Sequence, residues 1–166
     1  MVMLVRSGIF SALIVSLLLA LPPMSYSASS SDGAPDNGII KVKSVYSFGE
    51  TVARLKADIS SKGIMFFSAI DQSQLGAGAG ITLNPSTLLI FGNPPLGIQF
   101  LTSNPDSGLD WPVRLLVRKD RDGQVWAVYT DFGWIARRHG ISDRDAQFKM
   151  ASAVIASITS SVASKR

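Results

Sequence analysis

The stretch VRLLVRKDRDGQVWAVY, Val113 to Tyr129, constrains the fold more than any other. Val113, Leu115 and Val117 alternate with Arg114, Leu116 and Arg118, the two-residue period of a strand with one face in a core. Asp122-Gly123 is a turn pair, and Val125 to Tyr129 returns as a second strand. A hairpin of this kind is antiparallel and must bury one face against another layer.

The flanking segments supply that layer. Ile40 to Tyr46 reads as a first strand, with Ile40 and Val42 inward and Lys41 and Lys43 outward. Ser47-Phe48-Gly49-Glu50 fits a capping box opening a helix whose Val52, Leu55 and Ile59 share one side, and Gly63 sits where a left-handed residue would end it. IMFFSAID, Ile64 to Asp71, is apolar on both alternating sets and reads as a strand buried on both faces. Gly76, Gly78 and Gly80 follow in a turn region, as a flexible loop or a point of close backbone packing. Leu88 to Phe91 is a further strand, stopped by Gly92-Asn93-Pro94-Pro95, where missing amides and restricted dihedrals end the ladder and hold the exit extended. Leu96 to Leu101 reads as a short helix, SNPDSG as a loop, and Trp134 to Arg138 as a helix stopped by Gly140. A last helix begins near Ser142, with Phe148, Ala151, Ile155 and Ile158 as its apolar stripe. The fold class expected is α+β: a two-layer domain with a mixed or antiparallel sheet packed on helices.

Residues 1–27 have the pattern of a cleavable secretory signal. Arg6 is their only charge, Gly8 to Leu21 is apolar, and small Ser25 and Ser27 sit at −3 and −1. The alternative is a retained anchor, against which the uninterrupted apolar core is short of the roughly 20 residues that span a bilayer. Residues 28–38 are small and polar and read as a flexible leader, leaving 39–166 as one domain. A periplasmic or secreted location follows, with no stable membrane anchor once the signal is removed.

Composition narrows the chemistry. With no cysteine, disulfides, thiolate nucleophiles and zinc–thiolate sites are excluded. One histidine leaves only oxygen-rich or mixed metal sites, and DRDG lacks the later ligands of a calcium loop. No metal and no cofactor are expected. The formal charge of +4 falls to +3 when Arg6 leaves with the signal, and RKDRDG and ARRHG are too short or interrupted to track a phosphate backbone. Nucleic acid is not an expected partner. GAGAG lacks the spacing of a phosphate loop or a dinucleotide fingerprint, and no GxSxG nucleophile elbow occurs.

The blocks SAIDQ, LNPSTLLIFGNP, GLDWPVRLLV, DGQVWAVYTD and IARRHGI, in this order, resemble the DUF302 domains, a bacterial family of unknown function. The resemblance runs from about Gly49 to Ile141 and implies a compact α+β fold and a homodimer, but no established reaction. It maps the family's Ile-Asp-His turn onto Ile70-Asp71-Gln72, its Phe-Gly-Asn-Pro onto Phe91-Gly92-Asn93-Pro94, its Leu-Pro onto Trp111-Pro112, and its late aromatic and Arg-His onto Tyr129 and Arg138-His139. Gln72 cannot serve as the base or metal ligand that a histidine provides.

These residues define the candidate site. Asp71, Gly92, Asn93 and His139 are the ligand-binding candidates; Asp71 and His139 are the acid–base candidates, with Tyr129 positioning a substrate. Each has a plainer reading: Asp71 as a loop cap or a partner of Arg114, His139 as a surface residue closing a helix, Tyr129 as core. Three functions follow: a module binding a small ligand or an envelope protein, a small hydrolase or isomerase, and a structural or stress-associated homodimeric module. Whether the chain is an enzyme stays open at this level.

Overall fold

The computed structural model describes residues 37–163. The expected signal and most of the leader lie outside the described residues.

A five-stranded antiparallel sheet is packed on helices. The strands are β1 (Ile39–Ser44), β2 (Met65–Asp71), β3 (Ser86–Gly92), β4 (Val113–Lys119) and β5 (Val125–Thr130), in the order β1-β5-β4-β3-β2. The β4–β5 hairpin lies at the centre of this order, flanked by β3 and β1. The helices are α1 (Phe48–Ser61), α2 (Gln72–Gly78), α3 (Pro94–Ser103), α4 (Phe132–Arg138) and α5 (Asp145–Ala163), with a 3-10 turn at Pro105–Leu109.

Alternation along the strands selects the core face. Leu89, Phe91, Leu115, Val117, Val125 and Ala127 are all buried. They pack with Leu55 and Ile59 of α1 and with Phe148, Ile155, Ile158 and Val162 of α5. The serine half of the predicted capping box forms, with Ser47 Oγ accepting from the Glu50 amide, while the Glu50 carboxylate bonds Arg54; Gly63 adopts φ 65° beyond the last turn. Val45 then donates its amide to Val162 O at 3.0 Å, which ties the end of β1 to α5.

Several expectations change. β2 is an edge strand, not one buried on both faces: Met65 is 53% exposed and Phe67 43%. Phe66 packs against the core, and Phe67 meets Trp111 edge to face with ring centroids 6.3 Å apart. β1 is the opposite edge, so Ile40 shares the core-side register with Tyr129 yet stays exposed, and the strand ends at Ser44 rather than Tyr46. The glycine-rich turn contains α2, capped by Asp71, and Gly76 is buried where a methyl group would lie 2.9 Å from Ile81 O. The two prolines after Asn93 do not hold the chain extended; they occupy the first positions of α3. Those positions have no amide partner within a helix, so proline loses nothing there. The Ser142–Asp145 box does not open the last helix, which starts at Asp145.

Candidate functional site

Asp71 ends β2 and caps α2. Its Oδ1 accepts from Ser73 Oγ at 2.6 Å and from the Gln74 amide at 2.9 Å. The Ser73 hydroxyl, then the Gln74 amide, hold its pKa below the ordinary carboxylate value. An exposed, strongly acidic carboxylate is a cap and a weak proton acceptor near neutral pH. Gln72 beside it accepts from Ser86 Oγ at 2.7 Å. Arg114, the partner expected for Asp71, binds Asp110 instead, at 3.2 Å.

The other candidates lie at the far end of the sheet. Asp71 is in register with Thr87, whereas Gly92 is in register with Met65, five strand steps away, or roughly 17 Å. Asp110 and His139 belong to the Gly92 end, because β4 enters there, with Val113 opposite Phe91. The structure therefore does not assemble Asp71 with His139 as an acid–base pair.

His139 is not a surface residue. Its side chain is 6% exposed and its Nε2 lies 2.7 Å from Asp110 Oδ2, itself on a side chain 6% exposed. Arg138 Nη1 reaches the same carboxylate at 3.1 Å, and the Arg114 guanidinium also bonds Leu109 O. Asn104 Nδ2 donates to His139 O at 2.8 Å, joining the 3-10 turn to the end of α4. Asp110 was missed because it lies in an aperiodic loop that offers no spacing signal. The cluster is a closed clasp between two segments, with the carboxylate committed to three cationic or imidazole groups. Tyr129 packs on the core from β5; burial, then the Asp131 charge, raises its pKa and keeps the phenol protonated.

Gly92 and Asn93 line something different: an apolar cavity of about 220 Å³ between the end of the sheet, α3 and α5. Phe91, Phe100, Val113, Val154 and Ile155 line its body, and Lys62 and Asn93 are polar groups on its wall. Trp111 forms another wall. Its indole lies so close to α3 that a methyl group on Gly97 would sit 1.7 Å from Nε1, and one on Gly92 3.3 Å away. Gly92 does not adopt a positive φ; its use is this close approach. Asn93 occupies the N-cap of α3, yet its side chain makes no capping bond. Its backbone O instead accepts from the Leu96 and Gly97 amides, at 3.0 and 2.8 Å. The amide side chain stays exposed at the cavity. Sequence reasoning missed Trp111, Gly97 and Lys62 as parts of a site. The signal present was a glycine inside an apolar helix, which marks close packing.

The model of the Domain of unknown function DUF302 matches residues 40–158. The chain belongs to the DUF302 family. This DUF302 domain is similar in fold to an uncharacterized conserved DUF302 protein from Bacillus stearothermophilus, with a TM-score of 0.69 at 15% identity over 76% of this chain and 98% of that one. It is also 37% identical over 106 residues to a protein from Brucella suis named fluoride-specific ion channel FluC 1, covering 64% of this chain and 42% of the relative. The Brucella melitensis protein named FluC 2 matches at the same identity over 39% of its length. The chain thus spans about two-fifths of these curated relatives. Among the described residues no helix is long and apolar enough to cross a membrane, and no group of three or more acidic, His or Cys residues could hold a metal.

Proposed function

We propose that this domain is a binding module for a small, mainly apolar ligand, working in the periplasm or outside the cell. The observation that carries the reading is the apolar cavity at the Gly92 end, with few polar groups on its wall. The family's glycine and asparagine sit on that wall, which gives the Gly92-Asn93 corner a use beyond ending a strand. The hydrolase or isomerase alternative loses support, because Asp71 is remote and His139 is already committed to Asp110. An envelope protein as ligand fits this cavity less well than a small molecule, since the space is narrow.

The test is ligand binding by residues 28–166, followed by calorimetry or chemical-shift perturbation with small apolar and amphipathic compounds. Val154 lines the cavity and is only half-buried, so Val154→Phe should fill the space with little loss of fold. Binding should vanish in that variant while its melting temperature stays near that of the parent. Unchanged affinity in a folded Val154→Phe protein would remove the cavity from the function.

A second reading comes from the relatives named as fluoride channels. The match of 106 residues is much longer than the 36 residues preceding Asn37, so most of it falls on the described domain. We propose that the shared part is a domain attached to such channels rather than their conducting part, and that ligand occupancy is what it would report to them. Fluoride flux through liposomes holding this chain alone should match protein-free liposomes; a selective flux would reverse that assignment.

A further inference from the structure

We infer that the ligand is an anionic amphiphile: a short to medium-length acyl carboxylate whose head lies at Lys62 and Asn93 and whose tail enters the apolar body of the cavity. This rests on the cavity reading and adds the class of ligand.

The polarity of the cavity is one-sided. The β2–β3 register places Met65 opposite Gly92, so the chain entering β2 runs beside the chain leaving β3. Lys62 and Asn93 therefore lie at one end of the site, and among the described residues Lys62 is the only charged one on its wall. Asn93 is a helix cap whose side chain is not used for capping, which leaves its amide free to donate. Behind them the wall is aromatic and aliphatic, with Phe100 and Ile155 almost fully buried. A cationic head would meet Lys62, and a wholly apolar ligand would make no use of the Asn93 amide or of the ammonium, which then keeps Asp58 as its partner.

Size sets the length. An apolar cavity of about 150 Å³ takes benzene. On the same scale, the 220 Å³ here fits roughly eight to ten non-hydrogen atoms. Hexanoate and octanoate meet that limit. Lys62 already pairs with Asp58, at 2.5 Å, so a bound carboxylate shares or displaces that partner. Weakening the Asp58 pair should therefore strengthen the ligand's.

The experiment compares octanoate, octanol and octylamine by calorimetry on the parent, Lys62→Met, Lys62→Arg, Asn93→Leu and Asp58→Asn. Octanoate should bind tightest and octylamine least. Lys62→Met should weaken octanoate by about fivefold, the scale of a partly exposed ion pair, and leave octanol unchanged. Lys62→Arg should retain octanoate binding, Asn93→Leu should weaken it, and Asp58→Asn should tighten it. Equal binding of octanoate and octanol, indifferent to Lys62, overturns the head-group assignment while leaving the cavity reading intact. Binding of none of the three to the folded parent defeats both. Tightest binding of octylamine overturns the assigned charge.

Discussion

A methyl group on Gly97 would stand 1.7 Å from Trp111 Nε1, a distance no side chain tolerates, whereas one on Gly92 would stand 3.3 Å from the same ring. Gly97→Ala should therefore lower stability by about 1–3 kcal/mol, the range for forcing a bulkier group into a packed site. Gly92→Ala should cost clearly less, because a few tenths of an ångström of ring movement accommodate it. Adding Trp111→Leu to Gly97→Ala should recover much of the loss, since the clash is with the indole. Urea melts of the three variants check the order; a larger loss for Gly92→Ala would mean that the ring yields at Gly97 and not at the strand end. The sequence pointed to Gly92 through the abrupt end of β3, and to close approach as one of its uses. Gly97 gave only the weak signal of a glycine among apolar helix residues, because its constraint comes from a residue fourteen positions later.

Elements defined by local rules were legible. The β4–β5 hairpin, the Ser47 cap and the stop at Gly63 each depend on residues a few positions apart, and each forms. Elements defined by their neighbours were not: β2 looks central from its composition and is an edge, and Asn93-Pro94-Pro95 stops β3 as read but opens a helix where an extended exit was expected. The hairpin turn also carries a pH prediction. Asp120 accepts from Trp126 Nε1 at 2.7 Å and from the Gln124 amide at 2.8 Å, and the Trp126 bond is the largest cause of its lowered pKa. A carboxylate more acidic when folded stabilises the fold above its unfolded pKa, and that contribution is lost as pH falls through the folded one. The unfolded value is about 4. The melting temperatures of parent and Asp120→Asn should differ in the parent's favour at pH 6 and converge below about pH 4. A difference constant from pH 6 to pH 3 would mean that charge on Asp120 contributes nothing.

At the scale of the molecule, the sheet has two faces and the described core occupies one. The alternating positions of the other form a central row in which Val128, Leu116, Leu88 and Ile70 are successive partners across four strands. Leu116 and Leu88 are half-buried and Ile70 is exposed, although a sheet face turned to water is ordinarily polar. Val128 is already buried, and the rest of the row is apolar surface available for association. We propose that a second copy of the chain covers it, in a two-fold dimer with Leu116 near the axis, where each copy presents the same patch to the other. The flanking positions of that face hold Lys41, Lys43 and Arg118, so two copies bring like charges towards each other at the rim. Repulsion between exposed charges is screened by salt, which gives the dimer an uncommon sign of salt dependence: it should tighten as salt rises from 0.05 to 0.5 M, by an amount on the order of several-fold. Sedimentation velocity across that range measures it. Leu116→Glu places a carboxylate at the centre of the buried row and should give monomer at every concentration, with the circular dichroism of the parent retained. A parent chain that sediments as monomer at high salt, or a Leu116→Glu variant that stays dimeric, would place the homodimer on another surface or remove it. Dimerisation here would leave the cavity between α3 and α5 open on each copy, because that cavity lies on the helical side of the sheet. Octanoate titration of dimer and Leu116→Glu monomer should then give equal affinities per chain.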